Sequence, residues 1–162
     1  MRNVVVFGNS GSGKSTLAKD YSEKYGLSHL DLDGLAWQDT SPPTRLPLHE
    51  SAAKVQHFLE NNQKWIIEGC YSDLLELVIK QASEVIFLNP GEDTCVSNCR
   101  DRPWEPHKYE SPEEQNKNLN MLLDWVRQYS VRDDEFSLSA HRKLFDEFTG
   151  PKTESYSNDR NA

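Results

Sequence analysis

Three short runs along the chain are apolar without alternation: Val4–Phe7 in "NVVVFG", Trp65–Ile67 in "KWIIEG" and Val85–Leu88 in "EVIFLNP". Runs of this length and type read as strands buried on both faces, as in parallel sheets. A fourth run, "SHLDLD" from Ser28, alternates leucine with aspartate and reads as a strand with a weaker signal. Between these runs the spacing becomes helical. Ser15 to Tyr25 predicts one helix, and Leu48 to Asn61, with Val55, Phe58 and Leu59 on one side, predicts another. Strands alternating with helices predict βαβ units, right-handed crossovers and a parallel sheet.

After Pro90 the pattern changes. Glu92 to Arg102 reads as a helix, which "RPWEPHKYESPEE" then interrupts with three prolines. Ser111-Pro112-Glu113-Glu114 has the chemistry of a helix start, with proline at the first turn and carboxylates near the positive end of the dipole. Leu119, Leu122, Leu123 and Val126 make its apolar stripe, and a further helix from Ser137 to Phe148 stops at Gly150-Pro151. The closing "TESYSNDRNA" is polar and is expected to fray. No clear fifth strand follows Glu84–Leu88, so the sheet is expected to have four to five strands. Residues 1–150 read as a single domain with a lid-like insertion at about 100–132, and 151–162 as a polar tail.

Composition narrows the class. At 162 residues the chain can bury one core, but it is 36% hydrophobic, with a mean hydropathy of −0.77. Its net charge of −8, from 26 acidic and 18 basic residues, argues against a nucleic-acid partner, which needs a basic face. Three cysteines, Cys70, Cys95 and Cys99, read as reduced thiols of a cytoplasmic protein. No apolar run has the length of a membrane span, so a soluble protein is expected. Oligomeric state has no signal.

The sharpest feature is Gly8-Asn9-Ser10-Gly11-Ser12-Gly13-Lys14-Ser15, which fits G-x-x-x-x-G-K-[ST] between a strand and a helix. Glycines let the main chain curl around a polyphosphate so that successive N–H groups point inward, and the following helix adds its N-terminal dipole. Gly8, Ser10, Gly11, Ser12, Gly13, Lys14, Ser15 and Thr16 are therefore the expected nucleotide-binding residues. Lys14 serves the β- and γ-phosphates, and Ser15 ligates magnesium. A dinucleotide motif is excluded, because Lys14-Ser15 falls where close backbone approach is wanted. The expected cofactors are ATP and Mg²⁺.

Asp31 and Asp33 close the second strand in "HLDLDGLAW", and Glu68-Gly69 closes the third in "WIIEGCYSD". In an open parallel sheet these ends border the ligand crevice, although aspartate at a strand end is also ordinary turn chemistry. The layout resembles P-loop kinases of the adenylate kinase and shikimate kinase type, with a three-layer α/β/α P-loop NTPase fold and a helical lid and C-terminal region. More narrowly, "HLDLDGLAWQ" and "WIIEGCYSD" are similar to "HLDxLYW" and "WIIDGNYS" of bacterial adenylate kinase-like proteins labelled DNA topology modulation proteins. The likeness covers the first ninety residues well and "LLDWVRQYSVR" more loosely.

That resemblance implies that Asp33 is the acceptor-side aspartate and that Glu68-Gly69 stands for an Asp-Gly pair that holds magnesium waters. Glu68 for aspartate is a departure. The resemblance also implies lid arginines over the transferring group: Arg132 in "YSVRDD" is the leading candidate, with Arg127 near it, which could instead pair with Asp124, and Arg100 and Arg102 beside the proline loop. Asp31, Trp37, Gly69, Arg100 and Arg102 are candidate substrate contacts. Trp37 could instead pack under a helix. The loop holding Trp104, His107 and Tyr109 reads either as a clamp or as a proline-stiffened connection with Trp104 on the core. The adenine pocket has one candidate, the "FTGPK" turn at Phe148. The expected function is transfer of the γ-phosphate of Mg-ATP to a small acceptor, either a nucleotide or nucleoside or a hydroxy compound. The alternative is a nucleotide-binding regulatory NTPase with slow hydrolysis.

Overall fold

The computed structural model describes residues 2–38, 44–106 and 109–157. Its elements in chain order are β1 (Asn3–Gly8), α1 (Lys14–Tyr25), β2 (Ser28–Asp31), α2 (Asp33–Ala36), α3 (Leu48–Asn61), β3 (Trp65–Gly69) and α4 (Ser72–Ile79). Then follow β4 (Glu84–Leu88), α5 (Glu92–Arg100), α6 (Pro112–Arg127), α7 (Leu138–Glu147) and β5 (Lys152–Ser155). The five strands form one sheet in the order β2-β3-β1-β4-β5, every neighbouring pair parallel.

The absence of alternation in β1, β3 and β4 has a direct cause: both faces of the sheet are covered. Val4, Val6, Ile66, Ile86 and Leu88 pack with Leu17 and Ala18 of α1 on one face. Val5, Phe7, Trp65, Ile67, Val85 and Phe87 point the other way, toward Val55 of α3, Leu74, Leu75 and Val78 of α4 and Leu144 of α7. Phe7 and Phe87 stack at 5.2 Å there, and truncating such a ring costs about 3–5 kcal/mol. A third cluster joins Cys95, Val96 and Cys99 of α5 to Leu123 and Val126 of α6.

Local signals place the helix starts. Ser111 Oγ accepts a hydrogen bond from Glu114 N at 3.2 Å, with Pro112 and two glutamates in the first turn, so α6 begins where the sequence predicts. Ser137 Oγ accepts from Ala140 N at 3.1 Å and caps α7 in the same way.

Three expectations need correction. The chain beyond Pro151 is not simply frayed, because Lys152–Ser155 pairs with β4 as the fifth strand. That strand is held by side chains: Arg142 donates to both carboxylate oxygens of Glu154 at 2.6 Å, and Asn89 Nδ2 donates to the same residue at 3.2 Å. The "FTGPK" turn precedes β5 and therefore lies at the amino edge of the sheet, where Val85 N donates to Pro151 O. The glycine loop leaves the opposite edge, so this turn cannot line the same pocket. Finally, α4 occupies a stretch to which the sequence reading assigns no helix.

Candidate active site

The glycine loop connects β1 to α1 and has the shape that anion binding requires. Gly11 and Gly13 adopt φ of +80° and +98°, a region costly for other residues. Gly11 is also fixed by space, since a Cβ there would meet Cys95 O at 2.4 Å and Cys99 Sγ at 2.7 Å. The N-terminus of α1 has neither a side-chain cap nor an acidic residue in its first turn. Its first N–H groups and its positive dipole end are thus uncompensated by protein side chains, which suits an anionic ligand. Lys14 Nζ donates to Asn9 O at 2.7 Å and lies folded along the loop. α5 and α6 hold the loop from outside: Asn98 Nδ2 donates to Gly11 O at 2.8 Å, and Asn9 Nδ2 donates to Val126 O at 3.1 Å.

The sheet brings the strand-end carboxylates to the same edge. Val6 and Asp31 are both in register with Glu68. Glu68 is 2% exposed, and its oxygens are divided between two partners. Ser15 Oγ donates to Oε1 at 2.8 Å, and His29 Nε2 lies 2.7 Å from Oε2. An ionised carboxylate offers only lone pairs, so Nε2 carries the proton. The Glu68 hydrogen bond raises the His29 pKa against the opposing effect of burial. The magnesium pair expected from sequence, Ser15 and Glu68, is therefore adjacent, and it has a third member, His29, that the sequence reading leaves unassigned.

Beyond the end of β2 Asp33 opens α2, and Tyr71 donates its hydroxyl hydrogen to Asp33 Oδ1. Trp37 Nε1 donates to the Tyr71 hydroxyl at 2.8 Å, so Trp37 belongs to this chain of bonds while its ring stays 42% exposed. Burial, followed by nearby charge including Asp33, keeps the Tyr71 hydroxyl protonated by raising its pKa. Asp31 accepts from Asp33 N at 2.9 Å, which is turn chemistry. Gly69 lets Leu32 pack on the strand end, where a Cβ would meet the Leu32 side chain at 2.8 Å. Cys70 sits amid these groups. Burial pushes its thiol up to about 12, with Lys14 opposing and Asp33 and Asp31 reinforcing.

Two of the expected arginines, Arg132 and Arg102, have partners within the protein. Arg132 donates to the Trp125 and Phe136 carbonyls, pairs with Asp134 at 3.6 Å and lies 4.0 Å over the Trp125 ring. Arg102 pairs with Glu105 at 3.6 Å and donates to Cys99 Sγ at 3.8 Å. Arg100 ends α5 with an exposed side chain. Arg45 pairs with Asp73 and Glu135 and lies over the Tyr71 ring. Trp104 is 43% exposed, with Nε1 donating to Tyr109 O, so it does not tuck onto the core; His107 lies outside the described residues.

The residues fit a magnesium-bound nucleoside triphosphate. The loop offers main-chain amides, a lysine and an uncapped helix end. Among the described residues no group of three or more His, Cys, Asp or Glu is arranged to hold a metal by itself. Ser15 and Glu68 suit magnesium, which takes one or two protein oxygens and completes its shell with phosphate and water. Also among the described residues, no helix is long and apolar enough to cross a membrane.

No family model matches the chain. The uncharacterized protein YqaC from Bacillus subtilis (strain 168) is 28% identical over 133 residues, covering 79% of this chain and 72% of that protein. Shikimate kinase from Bacteroides thetaiotaomicron superposes with a TM-score of 0.56 at 15% identity, over 98% of this chain and 89% of that one. Shikimate kinase from Acinetobacter baumannii in complex with shikimate gives a TM-score of 0.45 at 16% identity, over 89% of this chain and 91% of that one. The chain has the shikimate kinase α/β fold, a five-stranded parallel sheet between helices.

Proposed function

We propose that the protein is a P-loop phosphotransferase that moves the γ-phosphate of ATP to the hydroxyl or phosphate oxygen of a small acceptor. The observation that carries this reading is the convergence at one sheet edge of the uncapped α1 N-terminus, Lys14, the Ser15–Glu68 pair and Asp33. A simple turn would need no two carboxylates beside a lysine and a helix end. Lys14 exchanges its bond to Asn9 O for phosphate oxygens, and the first-turn amides of α1 hold the anion. When bound, magnesium supplies divalent charge against the phosphate oxygens. Asp33, fixed by Tyr71, orients the acceptor and takes its proton. The base rests near the carboxyl ends of β4 and β5, where Asn89 N donates to Ser155 O at 2.7 Å and Tyr156 stands exposed. The closeness to DNA topology modulation proteins rests on the two quoted motifs alone.

One observation favours the regulatory NTPase instead: Arg132 gives both terminal nitrogens to carbonyls within the protein and pairs with Asp134, which leaves the transferring group without the cation expected from that position. A sheet without a fifth strand would have supported that alternative, but β5 is present. The deciding experiment measures phosphate transfer and phosphate release from Mg-ATP across nucleosides, nucleotides and hydroxy acids. A kinase shows acceptor-dependent turnover, and Asp33→Asn then loses transfer about 100-fold or more while ATP affinity stays within a factor of a few. ATP turnover that no acceptor changes would establish the regulator.

A further inference from the structure

We propose that His29 is a positioning residue for magnesium-linked nucleotide binding, acting from β2 through Glu68 on the Ser15 hydroxyl. The inference rests on the reading of the glycine loop as a Mg-ATP site. It also explains why glutamate stands where the resembling kinases have aspartate.

Glu68 is almost wholly buried, and a carboxylate in that setting is tolerated when its lone pairs are occupied. Both oxygens have a donor: Ser15 Oγ at 2.8 Å on Oε1 and His29 Nε2 at 2.7 Å on Oε2. The sheet register makes this pairing diagonal. Asp31 is opposite Glu68, and His29, opposite Ile66, lies two residues earlier and so on the same face as Asp31. The long glutamate arm lets the carboxylate lie between α1 and β2. An aspartate, one methylene shorter, would draw it back from both partners. Its position has a chemical consequence at Ser15. A hydroxyl that gives its hydrogen to Glu68 keeps its lone pairs for a metal ion. Without His29, Glu68 is free to rotate away, and the Ser15 hydroxyl then turns toward other acceptors in the loop. Partners one bond removed from a metal ligand commonly change metal affinity by about 10–100-fold.

Calorimetric titration of ATP into the full-length chain, in excess Mg²⁺ and separately in EDTA, isolates this role. His29→Leu is expected to weaken binding about 10-fold in Mg²⁺ and to leave binding in EDTA unchanged. His29→Gln, whose amide N–H can donate to Glu68, is expected to restore most of the Mg²⁺-dependent affinity. Glu68→Asp, with His29 intact, should lose a comparable factor, and adding His29→Leu to it should cost little more. Where His29→Leu folds poorly, as judged by thermal melting, Glu68→Asp with His29 intact carries the test, and the absence of a Mg²⁺-specific loss in it overturns the proposal. Equal losses in Mg²⁺ and EDTA, no loss in either, or full additivity of the two substitutions would each overturn the role of His29. Absence of binding by the unaltered protein in both conditions would instead overturn the Mg-ATP reading itself, and the proposal with it.

Discussion

The glycine loop and the α5–α6 region meet at the same sheet edge but are built on opposite principles. In the loop, binding capacity lies in the main chain: positive φ at Gly11 and Gly13, amides at an uncapped helix end, and one lysine resting on a carbonyl of its own loop. In the facing region it lies in long cationic side chains that are already engaged. Arg102 pairs with Glu105, Arg127 with Asp124 and Arg132 with Asp134 plus two carbonyls. Preformed backbone donors need no rearrangement to meet an anion, whereas an engaged arginine must first give up a partner. Asn9 Nδ2 to Val126 O and Asn98 Nδ2 to Gly11 O are among the bonds that join the two regions. The loop is thus preformed for the anion proposed to bind it, and the facing helices are its support.

The largest expected effect tests the cradle. Lys14→Ala should lower ATP turnover by about 100-fold or more with an unchanged melting temperature, since its ammonium bonds one loop carbonyl and packs in no core. Turnover at the normal rate would remove Lys14 from the chemistry. Next comes the support. Arg132→Ala should destabilise the protein by about 2–3 kcal/mol in denaturant melts, because it strands the Trp125 and Phe136 carbonyls and removes a cation from an indole face. Loss of turnover with stability intact would make Arg132 a catalytic group after all.

A comparable effect should appear as pH dependence. His141 is buried, with Nε2 donating to Cys70 O and Nδ1 accepting from the Tyr129 hydroxyl; burial lowers its pKa to about 4. The unfolded chain binds this proton from about pH 6.5 downward, and the folded chain only near pH 4. Its contribution is therefore complete above pH 6.5 and lost as pH falls toward 4, by about 3 kcal/mol. Unfolding free energies of His141→Gln should show a flatter slope in that window than the unaltered protein. An identical slope would place the acid sensitivity elsewhere. The smallest effect is at Arg127, whose pair with Asp124 at 3.5 Å is largely exposed. Arg127→Ala should change stability by less than about 0.5 kcal/mol and leave turnover unaltered. A clear loss of turnover would bring this arginine back to the site.

The same contrast governs what could be read in advance. β1, β3 and β4 are legible because two covered faces demand unbroken apolar runs, and the glycine loop is legible because its residues are contiguous. β5 was hidden, since Lys-Thr-Glu-Ser lies at the sheet edge with little apolar surface to bury and is anchored by Arg142 and Asn89. α4 was hidden for another reason, because a short apolar run carries no decisive period. His29 and Tyr71 left no signal, as each acquires its role from a residue 39 or 38 positions away.

The sequence by itself determined the strand set facing the core, the helix starts at Ser111 and Ser137, and the glycine loop with Lys14 and Ser15. These features follow from local spacing, local caps and backbone permissiveness. Tertiary structure alone decided that β2 lies beside β3, which sets His29 against Glu68, and that Arg132 is spent on Trp125 and Phe136. It also put the "FTGPK" turn at the sheet edge opposite the glycine loop. Strand order and side-chain partnership are properties of packing between distant segments, and a local pattern holds no record of them.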